Sequence, residues 1–80
     1  MTVEQIRNAL RAQPFRAFSL RTADGREYSV PHQDFLFITP TGRTVIVADT
    51  EGTVELIDLF LVASIHFNGE EQKANRGPQD

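Results

Sequence analysis

Apolar residues recur three and four apart at the start of this chain, alternate with polar ones from Phe18 to Val30, and crowd onto both strand faces between Thr44 and Phe67. Val3, Ile6 and Leu10 share one helical face, and Thr2 followed by Gln5 has the form of a capping box. The spacing therefore predicts a helix from Val3 to Ala12. Pro14 stops it, because the proline ring disfavours helical geometry at Gln13. Phe18 and Leu20 then alternate with Ser19 and Arg21, and Asp24-Gly25, a tight hairpin signal, precedes Tyr28 and Val30. Pro31 has no amide hydrogen and ends that pairing or marks an edge, with a connecting turn at His32 to Asp34.

Phe35 to Thr39 reads as a short buried strand, Pro40 to Gly42 as a turn and Thr44 to Asp49 as the next strand. Glu51-Gly52 closes a second hairpin onto Thr53 to Ile57, and Asp58 to Phe60 reads as one helical turn that Asp58 caps with its side-chain oxygen. The last strand runs from Leu61 to Phe67. Ile57, Phe60, Leu61, Ser64 and Ile65 also fit helical spacing, but recurrent valine and isoleucine favour a strand. From Asn68 onward only Ala74 is apolar, so residues 68–80 are expected to form a disordered tail behind a single domain of residues 1–67.

A sheet with one wet face alternates apolar and polar residues, yet Ile46 lies between Val45 and Val47. Both faces of that segment need cover, which in a chain this short comes from the sheet closing on itself or from another copy. The expected architecture is α+β, mostly β: an N-terminal helix, then a bent antiparallel sheet of about five strands, closed or nearly closed as a small Sm-like or SH3-like barrel. Phe18, Leu20, Tyr28, Val30, Phe35, Val45, Val47, Leu56, Val62 and Ile65 form the expected core, with Ile6 and Leu10 docked on it. Ile46, Ile57, Phe60 and Leu61 are left on the outer face as candidate partner-binding residues.

Composition sharpens this picture. The chain has 80 residues and no cysteine, so neither disulfides nor thiolate metal sites reinforce a core close to the lower size limit. Association is the usual remedy. Glu4, Arg7 and Arg11 interrupt the first turns and no stretch reaches the ~20 apolar residues of a membrane span, which points to a soluble, cytoplasmic protein. Net charge is −3, but residues 1–30 carry five arginines against Glu4, Asp24 and Glu27, while residues 31–80 carry three basic and eight acidic groups. That asymmetry either steers head-to-tail association or is simply solvated surface charge.

Candidate chemistry is sparse. His32 and Asp34 form a His-x-Asp pair without a second ligand cluster, the pattern of loop hydrogen-bonding groups; His66 alternates with Ile65 and Phe67 and points to solvent. Ser64 sits in no recognisable nucleophile motif, and the glycines fall singly at turns instead of forming a phosphate loop. No catalytic, metal-binding or cofactor-binding residue is assigned. Arg7, Arg11, Arg21 and Arg26, with Arg16, are the alternative: gathered on one edge near Phe15 or Tyr28, they would suit RNA.

Asn8-Ala9-Leu10-Arg11, followed by a strand ending in Asp24-Gly25, resembles the start of the bacterial Sm-like RNA chaperone family called host factor Q, as does the order helix, hairpin, three further strands and a one-turn break before the last. The resemblance covers about two thirds of the chain and implies an Sm-like barrel. At the turn where that family carries its RNA-contacting Tyr-Lys-His, this chain reads Asp58-Leu59-Phe60, and Ser29, Val30 and Pro31 stand where the family bends its second strand at glycine. No RNA-binding residue is carried over. The chain is also similar, over residues 2–67, to a group of short bacterial proteins with a Thr-Val-Glu-Gln helix, Pro-Phe-Arg, Ala-Asp-Gly-Arg-Glu and Ile-Asp-Leu-x-Leu-Val. That resemblance brings no function with it. The expected function is a non-enzymatic module that self-associates or binds a protein partner through its sheet edges, with RNA binding as the alternative.

Overall fold

The computed structural model describes residues 1–67; the expected tail, 68–80, lies outside the described residues. Helix α1 (Val3–Arg11) begins at the predicted capping box: the Gln5 amide donates to the Thr2 hydroxyl at 3.3 Å, and the Thr2 amide donates to Gln5 Oε1 at 3.0 Å. It ends one residue before the expected limit, since Ala12 is already extended with ψ 141°. Ile6 and Ala9 are its buried residues.

Six strands follow, where the sequence suggests about five. They are β1 (Phe18–Thr22), β2 (Glu27–Val30), β3 (Leu36–Ile38), β4 (Thr44–Ala48), β5 (Val54–Asp58) and β6 (Val62–Phe67). Instead of one bent sheet they form two antiparallel three-stranded sheets, in the orders β2-β1-β6 and β3-β4-β5. The division falls just past Pro31, where a 3-10 turn at Gln33–Phe35 breaks what would be one long strand and carries the chain from the first sheet to the second. A second 3-10 turn, Leu59–Leu61, carries it back. Segment 57–66 is thus strand, turn and strand, with no α-helix. Neither sheet closes on itself, and β5 and β6 each remain at an edge.

Loop length sets the registers. In the first hairpin the Gly25 amide donates to the Thr22 carbonyl at 3.0 Å and the Thr22 amide to the Arg26 carbonyl at 2.9 Å. The positive backbone angle falls on Gly25 alone (φ 89°), so the loop is one residue longer than the two-residue turn that Asp24-Gly25 suggests. The β4–β5 hairpin repeats this geometry with Asp49 and Gly52, and its register sets Val45 opposite Ile57 and Ile46 opposite Leu56.

Between the sheets and under α1 lies one core built from Ile6, Ala9, Phe18, Leu20, Val30, Leu36, Val45, Val47, Ile57 and Val62. One expectation is reversed: Leu56, expected in the core, is 71% exposed, and Ile57, expected on the outer face, is 4% exposed. Two adjacent apolar residues leave a period-two reading undecided, and a one-residue slip exchanges the faces; the loop at Asp49 to Thr53 makes the choice. Leu10, Tyr28, Phe35 and Ile65 pack against the core from its margin, half-buried.

Candidate functional site

The two sheets differ in what they turn outward. On the first, the register aligns Ser29, Ser19 and His66 in one row and Glu27, Arg21 and Ser64 in the next, so its outer face is polar, with Ser19 at its centre buried. On the second, Phe37, Ile46 and Leu56 stand directly opposite one another across three strands. Phe37 is 58% and Leu56 71% exposed, Val54 is also exposed, and Ile46 between them is half-buried. Exposed apolar residues scattered singly are ordinary, but a row of three touching strands is a patch. Phe37 and Leu56 form no part of the expected surface, although their alternation with Leu36 and Ile57 is a signal that a correct register would read.

Phe60 is the most exposed large apolar residue, at 87%, and it is held firmly. Asp58 Oδ1 accepts from the Phe60 amide at 2.9 Å, as a capping aspartate there predicts. The Leu59 amide donates to the Arg43 carbonyl at 2.9 Å and the Ala23 amide to the Leu61 carbonyl at 2.8 Å, so the turn is fastened to the connections on both sides. Phe60 and the half-exposed Leu61 share no face with Ile57, which is core. Beside Phe60, a cleft of about 320 Å³ is lined by Met1, Gly42, Arg43, Asp58 and Leu59.

The arginines do not meet as one free cluster. Arg7 pairs with Glu4 at 2.6 Å, Arg21 with Glu27 at 3.2 Å and Arg26 with Asp24 at 3.6 Å. Arg16 lies 4.9 Å above the Phe67 ring. Arg7 and Arg11 flank a groove between α1 and β3, whereas Arg21 and Arg26 belong to the β1–β2 hairpin. There the Thr22 hydroxyl donates to Asp24 and holds its carboxyl below the ordinary value, the Arg26 charge assisting; the Tyr28 side chain in turn raises the Arg26 pKa.

Among the described residues no serine, histidine and carboxylate come together as a triad. Ser64 does have a histidine neighbour that the sequence reading passed over, since its Oγ lies 3.0 Å from His66 Nε2 on the same strand face. Yet no carboxylate among the described residues is paired with His66, so the third member of a triad is missing there. His32 and Asp34 are both exposed, and the His32 ring lies against Phe35 at 5.9 Å. Among the described residues no three potential ligands group around a metal site, and no helix is long and apolar enough to cross a membrane. Comparison with protein-family models, curated proteins and solved structures gives no match for this chain.

Proposed function

We propose that this protein is a non-catalytic assembly module that pairs with a second copy of itself through the outer face of the β3-β4-β5 sheet. The row Phe37, Ile46, Leu56 carries the reading. It is exposed at Phe37 and Leu56, uncharged at its centre and therefore self-compatible: the same face of a second molecule stacks on it without bringing like charges together. Burying one such side chain yields about 1.5–3 kcal/mol, the contribution that a small cysteine-free core lacks. The strand order, with an interrupted second strand and a one-turn break before the last, is compatible with an Sm-like or SH3-like barrel left open between β5 and β6. A cytoplasmic location accords with the absence of cysteine. The RNA reading has less support, because the arginines are divided between the α1–β3 groove and the β1–β2 hairpin, where Arg21 and Arg26 already meet Glu27 and Asp24.

The test is sedimentation equilibrium over a concentration series. The wild-type chain is expected to dimerise reversibly and Leu56→Glu to remain monomeric with its low-concentration melting temperature preserved. A wild-type chain that stays monomeric at concentrations on the order of 1 mM, where even about 4 kcal/mol of association is visible, removes the proposal.

A further inference from the structure

A second surface is built for a different kind of partner. β3 is an edge strand, and the Thr39 amide bond to the Thr44 carbonyl, at 3.0 Å, fixes which of its backbone groups face β4. Antiparallel ladders alternate, so Thr39 and Phe37 bond inward to β4, while the backbone groups of Leu36 and Ile38 face away from it. On that open side a groove of about 270 Å³ runs between β3 and α1, with Leu10, Leu36, Phe37 and Ile38 along it and Arg7 and Arg11 on its helical wall. No acidic residue lines it; Arg7 gives Nη1 to Glu4 at 2.6 Å and keeps its other guanidinium donors, and Arg11 meets no carboxylate among the described residues.

From this juxtaposition we propose that the groove binds an extended acidic peptide segment of a partner protein, which adds as a strand to the edge of β3 and sets carboxylates at alternate positions against Arg7 and Arg11. The spacing supports that occupant. Residues four apart on a helix lie about 5–6 Å apart, close to the roughly 6.7 Å between alternate side chains of a strand. A Glu-x-Glu segment thus matches both cations, and its middle residue falls on the outer sheet face beside Phe37. Strand addition supplies main-chain hydrogen bonds and the charge pairs supply selectivity. Nucleic acid lacks the backbone amides and carbonyls that the Leu36 and Ile38 groups call for.

The probe is a fluorescent peptide, Val-Glu-Val-Glu-Val, titrated by anisotropy against the full chain, with Val-Lys-Val-Lys-Val and hexauridylate as controls. The glutamate peptide is expected to bind and the lysine peptide to bind at least about tenfold more weakly. Arg11→Glu is expected to weaken the glutamate peptide by about tenfold. Ile38→Pro is expected to abolish binding, because it removes an amide that points away from β4 and so spares the existing ladder. Thermal melts of both variants check that they fold. Equal binding of the two peptides, or binding unaffected by both substitutions in folded protein, overturns the proposal. So does preferential binding of hexauridylate with a steep salt dependence, which would mark the groove as an RNA surface. Leu56→Glu, which tests the self-pairing face, is expected to leave peptide binding intact, so the two proposals fail independently.

Discussion

Adjacent residues of β5 should respond in opposite ways to truncation. Ile57 is 4% exposed and sits opposite buried Val45, whereas Leu56 is 71% exposed on the other face. Removing three carbons from Ile57 loses their transfer free energy and leaves a cavity, a loss of about 2–5 kcal/mol for Ile57→Ala. A domain this small holds only about 3–10 kcal/mol of stability in all, so the variant is expected to be close to unfolding. Ile57→Val, at about 0.5–1.5 kcal/mol, is the measurable companion. Leu56→Ala removes atoms that already face water and should fall within about 0.5 kcal/mol of wild type in the monomer. Urea unfolding at low micromolar concentration reads this directly: with a slope of about 1 kcal/mol per molar, Ile57→Ala lowers the midpoint by roughly 2 M or more and Leu56→Ala barely moves it. Repeating the titration at high concentration should expose a new deficit for Leu56→Ala, because the wild type and Ile57→Ala both keep the outer row and gain stability by pairing. If Leu56→Ala proves the costly substitution and Ile57→Ala the nearly neutral one in the dilute monomer, the β4–β5 register is shifted by one residue and the apolar outer row does not exist.

Three further outcomes follow from local geometry. Asp58→Ala removes the acceptor for the Phe60 amide and should cost about 0.5–2 kcal/mol by thermal or urea unfolding, with Asp58→Asn largely restoring it. Gly42→Ala places a Cβ at φ 72°, with Val3 as its nearest side-chain neighbour at 3.5 Å, so backbone strain dominates and about 1 kcal/mol of stability should be lost. The Asp24 carboxyl is held below its ordinary 3.8, first by the Thr22 hydroxyl, so its ionised form stabilises the fold above about pH 4 and that contribution disappears as pH falls through the lowered value. Carbon-detected titration of Asp24 should accordingly show Thr22→Val raising its pKa towards the ordinary value; an unchanged titration would remove the hydroxyl as the cause.

The helix was legible in the sequence because its determinants are local: Thr2 and Gln5 supply each other's hydrogen bonds, and Ile6 recurs on the apolar face whatever packs above it. The hairpins at Gly25 and Gly52 and the cap at Asp58 were legible for the same reason, each being decided within four or five residues. What the chain could not disclose alone was any choice between two apolar neighbours. Leu56 and Ile57 have nearly the same hydrophobicity, and only the pairing of β5 with β4, fixed by the length of the Asp49 to Thr53 loop, sends one to water and the other to the core. Likewise, Pro31 announced an interruption but not that the chain would change sheets there, since that depends on where β4 and β6 lie. Arginine count suggested a basic surface, yet whether each guanidinium stood free or met Glu4, Asp24 or Glu27 was a matter of a few ångströms in three dimensions. Short-range hydrogen bonding and periodicity were thus written in the sequence, while face, edge and charge pairing depended on contacts between segments distant along the chain.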